Sequence, residues 1–337
     1  MTTNSRPSPH LAPEAGYRLC RRREGLVPRT LRPILSLRER LKTKAKELPP
    51  DLASSYKERA NALKWMLVTC FGYLGYKNAR FGRIEAHEAV TAYGRDKLLA
   101  AKEISEAAGF TVLHGLTDCL WVKKEGMAAA ELEDLCRDVS AATGVKLSLE
   151  GCYRWIVFMP SRQNPARPVA TRYFGVFEDG SLKIRGLICR RRDTPPLVRR
   201  AQEVLLERLA GAATLPELAA LRPELEELAE SFRRRLREGG INPRELVITR
   251  VLSKPVEDYK VDTPTALAAR QLARAGVHVV PGEKVRYVHR ERRGPKETRV
   301  AAAPFIDDLE DYDAGIYLEL LERAISEIMT GVFGGAA

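Results

Sequence analysis

The sequence predicts an α+β fold in three successive parts: a helical hairpin, a mixed unit with a partial antiparallel sheet and packed helices, and a mostly helical unit. Three observations predict it. Between Thr30 and Gly72 apolar residues recur at helical spacing on either side of a Pro-Pro break. Between Tyr153 and Arg190 three β-rich runs follow one another. From Thr194 onward helical periodicity dominates, interrupted by short strands around residues 245–252, 284–290 and 299–306. A chain of 337 residues also exceeds one small core.

Each element has its own signal. Residues 1–16 are rich in Pro, Ser and Thr and read as disordered. Thr30 is placed to cap a helix that tolerates Pro33 in its first turn and carries Ile34, Leu37 and Leu41 on one face. "ELPPD" (47–51) ends it, and Asp51 caps a second helix with Tyr56, Ala60, Leu63, Leu67 and Phe71 on one face, closing at Gly72. Residues 83–109 form a long amphipathic helix closed by Gly109. "TVLHGLTDCLWV" (111–122) follows as a short hairpin, then a helix near 128–142. The strands "YRWIVFMP", "TRYFGVFEDG" and "SLKIRGLICR" come next, with a turn at Glu178–Gly180. Residues 215–230 read as an acid-faced amphipathic helix serving as plain surface.

Composition narrows the function classes. No long uncharged apolar run is present, and the N-terminus lacks an apolar signal core, so a membrane role and export are not expected. Six scattered cysteines without a Cys-x-x-Cys pair imply reduced thiols in a cytoplasm, with neither a zinc site nor a disulfide framework. Charge points to a polyanion: 56 Lys+Arg against 44 Asp+Glu give a net charge of +12. Basic clusters recur at Arg21–Arg23, Arg190–Arg192 with Arg199–Arg200, Arg233–Arg235 with Arg237, and Arg290–Arg293 interrupted by Glu291. Solvated helix faces are the plainer reading of the same clusters.

Arg38 and Lys42 lie four residues apart on one helical face, and Lys64 borders the apolar face of the next helix. An antiparallel hairpin brings the three together, and three fixed cations suit a triphosphate whose leaving group gains charge as it departs. His87, His278 and His289 have no ligand-spaced partners and read as surface or packing residues; His114 also reads as packing. "GYLGY" (72–76) lacks the Gly-Lys-Ser/Thr ending of a phosphate loop and reads as a turn.

The order of these segments resembles the family B DNA polymerases. "LKWMLVTCFGYLGYKNARFGRIEAHEAVTAYGR" (63–95) is similar to their finger motif Lys-x-x-x-Asn-Ser-x-Tyr-Gly, and residues 111–122 to the palm motif Tyr-Gly-Asp-Thr-Asp-Ser. "GLVPRTLRPILSLRERLKTK" resembles the first finger helix, and "TRYFGVFEDGSLKIRGLICRRRD" the palm segment that contacts primer–template. Residues 245–288 and "YDAGIYLELLERA" resemble the thumb. The likeness covers about residues 17–334 and implies fingers over 17–75, the C-terminal part of the palm over 76–193 and a thumb over 194–337.

Carried over by position, the resemblance implies that Arg38, Lys42, Lys64, Thr69, Phe71 and Gly72 bind a deoxynucleoside triphosphate. Val68 stands where the motif has Asn, Thr69 where it has Ser, and Phe71 where it has Tyr. Asp118 matches the second palm aspartate, implying a catalytic residue and a ligand for Mg2+, while Leu116 stands at the first, His114 at the Tyr and Cys119 at the Ser. Arg172 and Tyr173 match a Lys-Arg-Tyr element whose lysine is Thr171, and Tyr259 and Lys260 match the thumb's Asp-Tyr-Lys. With Arg190, Arg191 and Arg192 these form the implied DNA-binding set.

The family's Asp-x-x-Ser-Leu-Tyr-Pro strand, which supplies its other essential metal-binding aspartate, has no counterpart before Tyr17. The resemblance therefore implies the C-terminal part of a split or truncated polymerase that works on primer–template DNA with a second polypeptide. That partner would carry the N-terminal, exonuclease and front palm parts. Two-metal phosphoryl transfer is incomplete with Asp118 alone. The second expectation is a catalytically inactive, polymerase-like DNA-binding or scaffold subunit in replication or repair. A third is a gene fragment whose sheet exposes an unpaired edge. The expected location is the cytoplasm, with the nucleoid.

Overall fold

A computed structural model describes residues 11–19, 24–161, 163–164, 166–306, 309 and 311–334. The cluster Arg21–Arg23 and residues 1–10 lie outside the described residues. The architecture is α+β and divides into two compact units, residues 1–149 and 150–337.

In the first unit α1 (Leu26–Glu47) and α2 (Pro50–Leu74) form a helical hairpin joined at Leu48–Pro49. The seam is built from Leu41, Ala45, Ala53 and Ala60, and the three small alanine side chains let the helices approach closely. α1 begins a turn earlier than the Thr30 cap implies. Gly25 is the cap residue, and Thr30 Oγ1 donates back to the Leu26 carbonyl at 2.9 Å. Pro33 therefore sits inside the helix, exposed, where the Arg29 carbonyl is left to water. Pro49, not Asp51, caps α2, with Pro50 in its first turn. The covered face of α2 runs through Tyr56, Ala60, Leu63 and Leu67 as expected, then continues through Cys70 and Leu74, leaving Phe71 exposed.

α3 (Ile84–Ala107) packs on the hairpin and on α4 (Ala129–Thr143), and Gly109 follows it with φ +82°. β1 (Thr111–Leu116) and β2 (Cys119–Lys123) pair as an antiparallel hairpin against α3. Residues 11–16, within the stretch expected to be disordered, instead form a closed turn. Leu11 bridges Arg18 and the Ala12 N–H donates to the Tyr17 carbonyl at 2.8 Å. Side chains of α3 hold that turn: Tyr17 donates to Glu88 at 2.5 Å and Arg95 pairs with Glu14 at 2.8 Å.

The second unit contains the large core. β3 (Tyr153–Pro160), β4 (Pro168–Phe177) and β5 (Leu182–Arg185) form one antiparallel sheet in that order. α5 (Pro196–Ala210) and α9 (Ala314–Phe333) are joined to it through Phe174, Leu187, Leu205, Leu206, Tyr317 and Leu321. β5 is shorter than the run 181–190 suggests. Gly186 turns the chain at φ +66°, and a side chain there would meet the Thr171 carbonyl; Ile188–Arg190 is a 3-10 turn. β6 (Ile248–Val251), β7 (Lys284–His289) and β8 (Val300–Ala302) make a second small sheet covered by α8 (Pro264–Arg274). The acid-faced segment 215–230 is two helices, α6 (Leu215–Ala220) and the start of α7 (Arg222–Glu238), broken before Pro223. Three of its five acids form ion pairs: Glu224 with Arg208, Glu226 with Arg222, and Glu230 with Arg237.

Candidate functional site

Two clefts concentrate the chemistry, one in each unit. Between α1 and α2 lies a cleft of about 370 Å³ lined by Arg38, Lys42, Ala45, Lys46, Lys57, Ala60, Asn61 and Lys64. The hairpin thus brings the three expected cations to one place. Helical repetition explains it: Arg38, Lys42 and Lys46 recur every fourth residue, as do Lys57 and Asn61, with Lys64 three further on. Arg38 Nε is buried without a hydrogen-bond partner.

The other finger residues are not gathered into that cleft. Thr69 is five residues after Lys64, about 140° around the helix, and its hydroxyl donates to the Trp65 carbonyl at 2.7 Å. It lines a separate apolar cleft of about 970 Å³ with Leu26, Trp65, Met66, Tyr73 and Phe81. Phe71 stacks on His87 with ring centroids 4.2 Å apart, and His87 Nδ1 lies 3.2 Å from the Phe71 carbonyl oxygen. His87 is thus a packing residue that ties α2 to α3. Gly72 faces open space.

Asp118 sits exposed at the tip of the β1–β2 hairpin, where Leu116 pairs with Cys119. Its N–H donates to the Leu116 carbonyl at 2.6 Å, so Thr117 is the centre of a three-residue turn at φ +52°. A β-branched residue is strained there. The turn projects Asp118 from the hairpin, while the Leu116 position contributes only a carbonyl to it. Among the described residues no group of three or more His, Cys, Asp or Glu side chains is arranged to hold a metal ion. Mg2+ needs oxygen ligands, and a two-ion site needs several carboxylates or phosphates. The carboxylate of Asp118 alone does not meet that requirement among the described residues.

In the second unit a cleft of about 750 Å³ joins Arg191, Arg250, Arg323, Ser253, Tyr259, Thr263, Thr265 and His289. Two of the residues singled out from sequence, Arg191 and Tyr259, therefore meet across 68 positions of chain. Asp193 anchors both Arg191, at 3.1 and 3.0 Å, and Arg250, at 2.8 Å. Burial raises the Asp193 pKa, but the Arg191 hydrogen bond and the charges of Arg250 and Arg191 outweigh it and hold it below the usual carboxylate value. The Tyr259 hydroxyl accepts from the Ser253 N–H at 3.1 Å and lies 2.9 Å from its Oγ; these contacts, with Lys254 4.8 Å from the ring centroid, lower its pKa. Arg190, Arg192 and Lys260 are exposed.

Arg172 and Tyr173 have partners within the second unit. Tyr173 is 5% exposed and packs beside Phe158. Arg172 donates to Glu327, whose other oxygen accepts from the Ile188 N–H and Gln202 Nε2, each at 2.9 Å. Gln202 is itself fully buried and accepts from the Cys189 N–H at 2.6 Å. Both residues are occupied inside the second unit, where Arg172 ties β4 to α9 and Tyr173 packs against β3. Within two of the other basic clusters, Arg233 pairs with Glu322 and Arg292 with Glu319.

Comparison with known proteins agrees with this layout. A family model described as DNA polymerase family B matches residues 10–332. "DNA polymerase 2" of Aeropyrum pernix is 29% identical over 313 residues, covering 92% of this chain and 36% of that protein. "DNA polymerase 2" of Saccharolobus solfataricus is 34% identical over 223 residues, 66% of this chain and 32% of that protein. The solved structure of the family B DNA polymerase from Pyrobaculum calidifontis matches with a TM-score of 0.59 and 27% identity, covering 98% of this chain and 41% of that one. The chain thus spans about a third of the length of the curated relatives it matches. No helix among the described residues is long and apolar enough to cross a membrane.

Proposed function

Because the chain belongs to DNA polymerase family B, we propose that it forms the fingers, rear palm and thumb of a DNA-directed DNA polymerase completed by a second polypeptide. The observation that carries this reading is the convergence of Arg38, Lys42 and Lys64 on one cleft of about 370 Å³. There they neutralise the triphosphate of an incoming deoxynucleotide and the charge that builds on the departing pyrophosphate. The Phe71 ring, close to the Lys64 face of α2, offers an apolar surface near the base. Arg191 and Tyr259 in the second cleft, with exposed Arg190, Arg192 and Lys260, grip the primer–template backbone. Arg172 and Tyr173 hold the sheet that positions them.

Asp118 supplies one carboxylate to the reacting end, and the partner's strand supplies the other; the metal chemistry belongs to that completed site. The apolar cleft around Trp65, Met66, Tyr73 and Phe81 supports a partner. Trp65 is 62% and Phe81 60% exposed, and a front palm segment would cover them.

A second reading is favoured by Leu116, Val68 and Thr171, which lack the acid, amide and ammonium of the family motifs. In it the chain holds DNA, or scaffolds other replication or repair factors, without chemistry. Duplex-end binding measured with and without the templated deoxynucleotide separates the two. Tightening by that nucleotide and not by the three others supports the polymerase reading. Equal affinity with all four supports the inactive one.

A further inference from the structure

The cleft between α1 and α2 holds more positive charge than a triphosphate requires. Beyond Arg38, Lys42 and Lys64 its walls carry Lys46 and Lys57, with the amide of Asn61 beside them and the buried Ala45 and Ala60 at its base. No acidic side chain lines it. Among the described residues none of its five cations forms an ion pair, whereas Arg172, Arg208, Arg233 and Arg292 of the second unit each hold a carboxylate. The Arg38 Nε donor, buried and without a partner, is an uncommon state that a bound acceptor relieves.

The dimensions of the row exclude a triphosphate as its full occupant. Residues eight apart on a helix, such as Arg38 and Lys46, are about 12 Å apart along its axis, and the three phosphorus atoms of a triphosphate cover only about half of that. α1 and α2 run back from the turn at Leu48–Pro49, so Lys46 lies nearest the turn while Arg38 and Lys64 lie farthest from it. A ligand held by Arg38, Lys42 and Lys64 therefore leaves the Lys46 end of the cleft unfilled.

We propose that this cleft binds linear oligophosphates longer than three phosphoryl groups, with Lys46 and Lys57 forming a subsite beyond the triphosphate. The inference rests on the assignment of Arg38, Lys42 and Lys64 to a triphosphate. A polyphosphate chain carries roughly one charge per phosphoryl group and bends freely, so it follows the row without needing a nucleoside. An inorganic polyphosphate and a nucleoside tetraphosphate offer the same recognised chemistry.

The test is calorimetric titration of the full chain at about 0.15 M salt, where exposed charges more than about 8 Å apart are largely screened. The probes are inorganic tripolyphosphate, a linear polyphosphate of twice that length, and a deoxynucleoside tetraphosphate beside its triphosphate. The longer inorganic chain is expected to bind about tenfold more tightly than tripolyphosphate, about 1.4 kcal/mol. Lys46→Ala with Lys57→Ala should abolish that gain and leave tripolyphosphate affinity nearly unchanged. Lys44→Ala with Arg59→Ala removes equal charge outside the cleft and should preserve the gain. All four residues are exposed, and Lys46→Gln with Lys57→Gln provides a second pair with the side-chain length retained. A gain with the nucleoside tetraphosphate alone would assign the subsite to nucleotides; a gain with both would show that phosphates suffice.

No gain in the wild-type chain, or a gain that survives loss of Lys46 and Lys57 or falls equally with Lys44 and Arg59, overturns the inference. Those results leave the triphosphate assignment standing if Arg38→Ala with Lys42→Ala still weakens tripolyphosphate binding. Absence of any tripolyphosphate binding would remove both.

Discussion

Arg172 donates to Glu327, a carboxylate that is 6% exposed and lies 155 positions further along the chain. The pair, closed by Gln202 and the Ile188 N–H, joins β4 to α9 within the second unit. Removing one partner of a buried pair leaves the other charged and unsatisfied, at about 3–5 kcal/mol. Glu327→Ala is expected to lose about that much stability in urea denaturation followed by circular dichroism. Arg172→Ala, which leaves the 6%-exposed Glu327 carboxylate with only the Ile188 N–H and Gln202, is expected to lose a comparable amount.

The Thr117 turn stores strain beside Asp118. Glycine adopts φ +52° without the side-chain clash, at a smaller cost in chain entropy. Thr117→Gly is expected to raise the thermal midpoint, with a net gain on the order of 0.5–1 kcal/mol, read by calorimetry. An unchanged or lower midpoint would mean that the turn carries no strain.

How much of this was legible in the sequence follows from the range of each signal. Helical periodicity located α1, α2 and α3, and the Pro-Pro break and Gly109 marked their ends, because those signals act within a few residues. The same local logic misplaced the start of α1, where Thr30 looks like a cap but lies inside the helix. Lys46 and Lys57 were readable as the continuation of the Arg38–Lys42 spacing, yet the family motif draws attention only to three cations. The Arg172–Glu327 pair and the meeting of Arg191 with Tyr259 had no local signature, since each depends on the register of elements far apart in the chain.

Primer–template binding through the second unit should be strongly salt-dependent. Each phosphate contact adds about 0.9 to the magnitude of the slope of log affinity against log salt. Arg190→Ala and Arg192→Ala are each expected to reduce that slope by about 1 in fluorescence-anisotropy titrations. Arg172→Ala should leave the slope unchanged if the folded chain is used, because its guanidinium is held by Glu327.

Asp193 sets an acid limb of stability. Its folded pKa lies below the ordinary value, since Arg191 and Arg250 outweigh the effect of burial. Its contribution is therefore fully present above the unfolded value near pH ~4 and is lost as pH falls through the lower folded value. Asp193→Asn should flatten the dependence of urea stability on pH below about 4 and change little of its shape between pH 6 and 8.

The role proposed for Asp118 is in a polymerase site completed by another polypeptide. Its most direct test is primer extension by the full chain mixed with a polypeptide bearing Asp-x-x-Ser-Leu-Tyr-Pro, using a defined primer–template and all four deoxynucleotides. Template-dependent extension is expected from the mixture, none from either chain alone, and its loss in Asp118→Ala. Extension by the Asp118→Ala mixture at the wild-type rate would contradict it.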